Sequence, residues 1–377
     1  MGNRQRWLNT LLFGKTDKIY FDPGQGREST WARWYSEGLP KDKTKDAIIE
    51  YAYRQAGGKE PWPVRGPGFY TDERMKPHFE EKVIEKGPRS QIVQDWKGNV
   101  CEISNEYDLR YLRDAIDFVT RRWIKCPVES PEDWADMKKR YNPDEPSRLP
   151  ENAKERAEQL KDRDYPIQLH FSGPFWQLRE WLGFENLCMM LHDNPGFVEE
   201  MIEFWSEYIS ALMKRTFEYF IPDAIHISED MAYKGFSMIS PDSCRRFLML
   251  CWKKWGRIIS DAGVPIYAVD SDGYIGELIP LWIESGINCC DPIEVAAGND
   301  INEFRKKFGK DMAYRGGVDK RCIAAGGTKI EKEIERIKPV IEDGGYIPGC
   351  DHGVPSDVSW PNFVNYVGLL AKVTGWL

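Results

Sequence analysis

The sequence predicts an α/β protein, a (β/α)8 TIM barrel with an N-terminal helical and hairpin elaboration, on three observations. After Tyr165 the short apolar runs PIQLHFS, AIHISED, PIYAVDSDG, INCCDPIE, MAYRGGV and YIPGCDH alternate with amphipathic helical patterns. These runs are nearly continuous in apolar character, as parallel strands buried on both faces require. Polar residues gather at or just past their C-terminal ends, where the loops of a barrel build its site. Right-handed crossovers wind such strands into either a closed barrel or an open sheet. An open sheet gathers residues only near a topological switch point, so polar residues at successive strand ends favour the barrel.

The elements follow in order. Trp7, Leu8, Leu11 and Leu12 recur at helical spacing within residues 4–13, Gly14 ends that run, and KIYFDPG reads as a short strand and turn. From about 25 to 165 tryptophans, prolines and charges replace the rhythm. Within it SQIVQDWKGNVCEI reads as a hairpin turning around Lys97 and Gly98, and 131–161 as highly charged helices. Past Tyr165, a long helix starts at Pro195 and carries Val198, Met201, Ile202, Trp205, Ile209, Leu212 and Met213 as a single stripe. The next starts at Ser240-Pro241 and stops at Gly263, and a third is opened by Thr328 with Glu331 at capping-box spacing. The expected organisation is one domain over 1–377, with 25–165 as elaboration and 166–377 as the most regular stretch of the barrel.

Composition narrows the partners. The 377 residues hold 52 basic against 60 acidic side chains, which argues against nucleic acid or an anionic membrane surface as the main partner and leaves small molecules or proteins. The nine cysteines lack paired CxxC spacing, no apolar segment is long enough to span a bilayer, and MGNRQRWLNT lacks a signal-peptide core. A cytoplasmic protein with reduced thiols is the expectation. Fifteen tryptophans exceed what a core alone normally needs and point to an aromatic-lined pocket, a large barrel core or an oligomer interface. The apolar helix faces are sufficient for a homodimer, although sequence does not rank that surface.

The candidate chemistry lies at the strand ends: Ser172, Glu229 with Asp230, Asp270 with Asp272, Glu294, Asp319, and Asp351 with His352. Acidic residues after strands commonly cap the following helix, which is at least as good a reading for Asp230, Glu294 and Asp319. For Asp270, Asp272, Asp351 and His352 the next helix starts several residues later, so a site is the better reading. The stretch GYIPGCDHGVPSDV places Cys350, Asp351 and His352 together in a loop directly after a strand. His226 alternates with Ile225 and Ile227 and is as plausibly structural as a ligand, while His78, His170 and His192 carry no distinguishing context. GQG at 24–26 and GPG at 66–68 are not dinucleotide fingerprints, GGTK at 326–329 is not a P-loop, and HExxH and GxSxG are absent. Cys289-Cys290 reads as core.

Taken in order, SGPFWQLREWLGFENLCMML, ISEDMAYKGFSMISPDSCRRF, VDSDGYIGELIPLWIESGINCCDPIE, YRGGVDKR and YIPGCDHGVPSDV resemble the uroporphyrinogen decarboxylase superfamily. The resemblance covers roughly the last 210 residues well and the N-terminal region loosely, through NRQRWLNTLLFGKTDK. It implies a (β/α)8 barrel and one of two chemistries. Decarboxylases of the family bind a tetrapyrrole's carboxylates with an arginine-rich RQAGRY segment near the N-terminus. Here DPGQGRE follows the first strand, and YRQAGGKE at 53–60 lies later without the second arginine. A polyanionic substrate needs several fixed cations, so that branch fits less well. His352 matches the histidine of the decarboxylases' last strand-end loop.

The other branch holds methyltransferases that move a methyl group between a donor or thiol acceptor and a corrinoid. Its thiol-activating members hold zinc with an HxC pair and a PGC cysteine. At the matching positions stand Asp270, Asp272 and Cys350, a set that can bind zinc but makes it a poorer thiol activator. The implied function is methyl transfer from a small donor, such as a methoxylated aromatic undergoing O-demethylation, to a corrinoid. No DxHxxG segment is present, so a separate corrinoid protein would supply that cofactor. In this reading His352 is the acid, Asp351 or a neighbouring carboxylate orients it, Glu229, Asp270 and Asp272 polarise the donor through hydrogen bonds or through a metal bound with Cys350, and Phe175, Trp176 and Tyr274 line an apolar slot. The alternatives are decarboxylation of a tetrapyrrole or other carboxylic acid, and a non-catalytic binding barrel.

Overall fold

The computed structural model describes residues 1–63 and 66–377. Its centre is a six-stranded parallel sheet made from the apolar runs: β5 (Gln168–Ser172), β6 (Ala224–Ser228), β9 (Ile266–Asp270), β10 (Cys289–Asp291), β11 (Ala313–Val318) and β12 (Tyr346–Cys350). The strands lie side by side in chain order, from β5 at one edge to β12 at the other. Segments of the N-terminal part of the chain lie against both edges. Beside β12, the Asp22 N–H donates to Pro348 O at 3.1 Å. Beside β5, the Ser172 N–H donates to the Glu73 carboxylate at 2.9 Å. The predicted KIYFDPG strand therefore does not form as a regular strand and meets the sheet through the Asp22 contact. Helices cover the sheet's outer face, and the class is the expected (β/α)8 barrel.

Side-chain alternation decides what faces where. Outward residues of the strands, such as Leu169, Phe171, Ile225, Ile227, Val269 and Tyr346, join the main core with the helices. Trp34, Trp181, Trp205, Trp252, Trp255 and Trp282 are fully buried, so much of the tryptophan content belongs to ordinary core packing. Inward positions near the strand starts are small: Ala224, Ala268, Cys289 and Ala313, with Ile266 and Ile347. Trp7 and Leu11 of the first helix, Asn3–Leu11, pack among them and close that end of the barrel. Burying two such side chains stabilises the plug by about 2 kcal/mol each.

The predicted helices mostly stand. Pro195–Phe217 buries the whole expected stripe. The helix begun at Ser240-Pro241 runs as Pro241–Ser243, a π-helical turn Cys244–Leu248, and Met249–Asp261, with the Ser240 side chain accepting the Ser243 N–H. The Thr328 capping box does not form: Gly327 is the cap of Thr328–Asp343 and no side chain caps it.

The elaboration contains the predicted hairpin, β2 (Ser90–Gln94) with β3 (Val100–Ser104), in a four-stranded antiparallel sheet completed by β1 (Lys82–Lys86) and β4 (Arg122–Lys125). Gly98 adopts φ +88° in the turn, a conformation that favours glycine. A short ribbon, β7 (Ala232–Tyr233) with β8 (Phe236–Ser237), follows β6. Among the described residues no helix is long and apolar enough to cross a membrane.

Candidate active site

Two groups of polar side chains face the barrel's hollow. The first is at the rim. His352, in the loop after β12, places its Nε2 3.2 Å from Asp272 Oδ2, in the loop after β9. The imidazole is 26% exposed and the carboxylate 41%, so both remain open to solvent and substrate. The hydrogen bond to Asp272 raises His352 above the ordinary histidine value, with burial opposing it. Phe118 from the elaboration stacks against the ring at 5.8 Å.

The second group lines an interior cavity of ≈630 Å³. Its residues sit at alternate, inward positions: Gln168 and His170 on β5, His226 on β6, Asp291 on β10 and Arg315 on β11. Arg315 forms an ion pair with Asp291 and donates to Gln168 Oε1 at 2.6 Å. Asp291 Oδ1 lies 3.0 Å from His226 Nε2, the two histidines meet through Nδ1 atoms 3.0 Å apart, and His170 Nε2 lies 3.0 Å from Gln168 Nε2. The contacts close into a ring. Burial alone would raise Asp291, but Arg315 and His226 outweigh it and hold the carboxylate down at about 2.

Asp270, at the end of β9, lines the same cavity. Burial, then the neighbouring charges of Asp291, Asp272 and Asp230, push its carboxyl well above the ordinary range. The shift favours the protonated form of this carboxyl, the form that can donate a hydrogen bond.

Two predicted roles do not survive. Asp351 is fully buried and turned away from His352: Oδ1 accepts the Lys320 N–H at 3.0 Å and Oδ2 the Val295 N–H at 2.9 Å. It ties three strand-end loops together, and Asp272 holds the histidine instead. Glu229 is also fully buried: Oε2 accepts the Phe175 and Trp176 N–H groups at 2.9 and 3.2 Å, and Oε1 the Trp252 indole N–H at 2.5 Å. Oε2 is engaged at the start of the helix Pro174–Leu182 and Oε1 by the helix Met249–Asp261, so the carboxyl serves as a buried cap and tie and not as a substrate contact. Of the acids read as helix caps, Asp319 accepts the Arg321 N–H as expected. Asp230 pairs with Arg179, and Glu294 with Lys320.

The aromatic slot is also dispersed. Phe175 is core, Trp176 lines a smaller cleft beside β5, and Tyr274 is half-buried under the ribbon, donating its N–H to Tyr233 O. The donor set Asp270, Asp272 and Cys350 is not assembled for zinc. Among the described residues no group of three or more His, Cys, Asp or Glu side chains is placed to hold a metal ion. Burial also drives the Cys350 thiol far above its usual value, away from the thiolate that binds metal.

Strand-end residues alone do not lead to the interior ring, and His170 carries nothing in its own window to single it out, so sequence reasoning misses this group. A signal is nonetheless present: Gln168-x-His170, the Ile-His-Ile alternation at 225–227, and the lone Arg315 all fall on the inward period of strands that are otherwise apolar.

No curated protein matches this chain. Among solved structures, a methyltransferase from Methanosarcina mazei is similar at 16% identity and a TM-score of 0.61, covering 99% of each chain. A B12-independent methionine synthase from Shewanella sp. W3-18-1, solved in complex with selenomethionine, is similar at 12% identity and a TM-score of 0.44, covering 94% of this chain and 96% of that one. The first likeness reflects a shared fold. The sequence profile of the uroporphyrinogen decarboxylase (URO-D) family matches residues 116–370, well over half of the chain. With the barrel and its strand-end site in place, the chain belongs to the uroporphyrinogen decarboxylase family.

Proposed function

We propose that the protein is a methyltransferase that takes a methyl group from a small donor, such as a methoxylated aromatic, and passes it to a corrinoid carried by a partner protein. The observation that carries this reading is the charge of the cavity. Among the described residues lining it, Arg315 is the one arginine or lysine, and Asp291 already neutralises it. A tetrapyrrole with several carboxylates requires several fixed cations, which these residues do not supply. A small neutral donor has no such requirement.

Cleaving an ether needs a proton on the departing oxygen, because a free phenolate leaves poorly. His352 is the proton donor, its protonated form favoured and its ring oriented by Asp272. Asp270, deeper in the cavity and with its carboxyl shifted toward the protonated form, supplies a hydrogen bond to a substrate oxygen. The corrinoid supplies the nucleophilic centre that accepts the methyl group. No step is assigned to zinc.

The test mixes the protein with a reduced corrinoid protein and methoxyarenes and follows the corrinoid spectrum, with CO2 release from uroporphyrinogen measured in parallel. Methylation of the corrinoid is the expected result. CO2 release without any spectral change would replace this reading with decarboxylation, and inactivity in both assays would favour a binding barrel. In the transfer assay His352→Ala should slow turnover by about 100-fold.

A further inference from the structure

At the C-terminal end of β5 a second, smaller cleft of ≈170 Å³ lies between the barrel and the β2–β3 hairpin. Trp176 and Trp181 come from the helix after β5 and Trp96 and Lys97 from the hairpin turn, and Tyr141, Glu73 and Arg74, the last paired with Asp72, are among the other residues that line it. None of these groups takes part in the His352 pair or the interior ring.

Tyr141 is the informative residue. It is only 4% exposed, and two side-chain N–H donors point at its phenol oxygen: the Trp181 indole at 3.1 Å and the Gln177 amide at 3.5 Å. The oxygen is thus the acceptor, and its own hydrogen has no acceptor among the described residues. A buried hydroxyl that is satisfied as an acceptor and idle as a donor is costly unless something else receives that hydrogen. The idle donor lies against a cavity walled by three indoles.

The charges favour a neutral guest. An aromatic cage often marks a cation site, but here the protein's own cations cover two of the rings. The Arg179 guanidinium lies 4.4 Å from the Trp176 ring centroid, and the Lys97 ammonium 5.5 Å from that of Trp96. Lys97 also pairs with Glu180 at 2.6 Å. Glu73 accepts the Ser172 N–H through both oxygens and the Ser172 hydroxyl through one, so its lone pairs are already engaged by the protein, and burial pushes it up to about 7, which leaves its charge only partial near neutral pH.

We infer that this cleft binds a small, neutral, single-ring molecule bearing a hydrogen-bond-accepting oxygen, the ring lying among Trp96, Trp176 and Trp181 and the oxygen receiving the Tyr141 hydroxyl. The site stands on its own geometry, independent of the transfer reaction proposed above.

Ligand-observed NMR titration of the full chain with methoxybenzene, toluene and tetramethylammonium tests it, without corrinoid or turnover. Methoxybenzene should bind saturably and more tightly than toluene, and tetramethylammonium least. Tyr141→Phe should weaken methoxybenzene about 5- to 10-fold and leave toluene unchanged, the loss of one buried hydrogen bond. Trp96→Leu, which leaves the Tyr141 contacts intact, should weaken both rings and keeps the test decisive if Tyr141→Phe misfolds. Absence of saturable methoxybenzene binding, an equal loss of both rings in Tyr141→Phe, unchanged binding in Trp96→Leu, or preferred binding of tetramethylammonium would each overturn the inference.

Discussion

His170 and His226 face each other through their Nδ1 atoms at 3.0 Å inside the barrel, so one nitrogen carries the hydrogen and the other must lack it. The rest of the ring decides which. Arg315 can only donate, which fixes Gln168 Oε1 toward it and turns the Gln168 amide N–H to His170 Nε2. Asp291 accepts from His226 Nε2. His170 is therefore the Nδ1–H tautomer and His226 the Nε2–H tautomer. Long-range ¹H–¹⁵N NMR correlation of the imidazoles checks this, and the reverse pair of tautomers would refute the ring.

The periodicity of the last 210 residues made the barrel legible, because buried parallel strands and amphipathic helices each leave a pattern that survives without coordinates. Asp272 and His352 were likewise readable from their place after strands. What the sequence could not carry was the direction of side chains in irregular loops. Asp351 adjoins His352 in the chain yet turns to the Lys320 and Val295 amides, and Glu229 turns to a helix start 54 residues earlier in the chain. The interior ring joins four strands through pairings no local window contains.

The His352–Asp272 pair fixes a pH dependence. Asp272 raises the folded-state value of His352 above the ordinary value of about 6.5. The pair's stabilisation is then complete below about 6.5 and disappears as pH climbs through the folded value. In the reaction proposed above, proton donation by His352 should fail over the same climb and give the transfer rate an alkaline limb. Asp272→Asn removes the charge, and the limb should move to lower pH. An NMR titration of His352 and a pH–rate profile measure the same shift; an unmoved limb would separate His352 from the acid role.

Glu229 predicts the opposite kind of linkage, in stability alone. Burial lifts its carboxyl to about 7, against the three N–H donors that favour its charge. Between about 4.3, the ordinary value, and that point, the unfolded chain has released the proton that the folded chain keeps. Stability therefore falls as pH rises across that interval, by on the order of 3 kcal/mol in total. Glu229→Gln abolishes this slope. The urea-unfolding free energy of the variant relative to wild type should improve between pH 4 and pH 8, and a constant difference would show that the carboxyl does not titrate there.

Arg315 and Asp291 offer a test by coupling. Arg315→Met leaves Asp291 buried with His226 as its remaining hydrogen-bond partner, and losing one member of a buried pair costs about 3–5 kcal/mol. The carboxylate that Arg315 helped hold down should then take up a proton nearer neutrality, since burial is the largest influence on it. Adding Asp291→Asn removes the stranded charge, so the double variant should be more stable than Arg315→Met alone, although it has lost more of the ring. A four-protein urea-unfolding cycle at pH 7 measures this. Strict additivity of the two losses would mean that the ion pair does not organise the barrel interior, whereas recovery in the double variant shows that the arginine is needed chiefly because the aspartate is there.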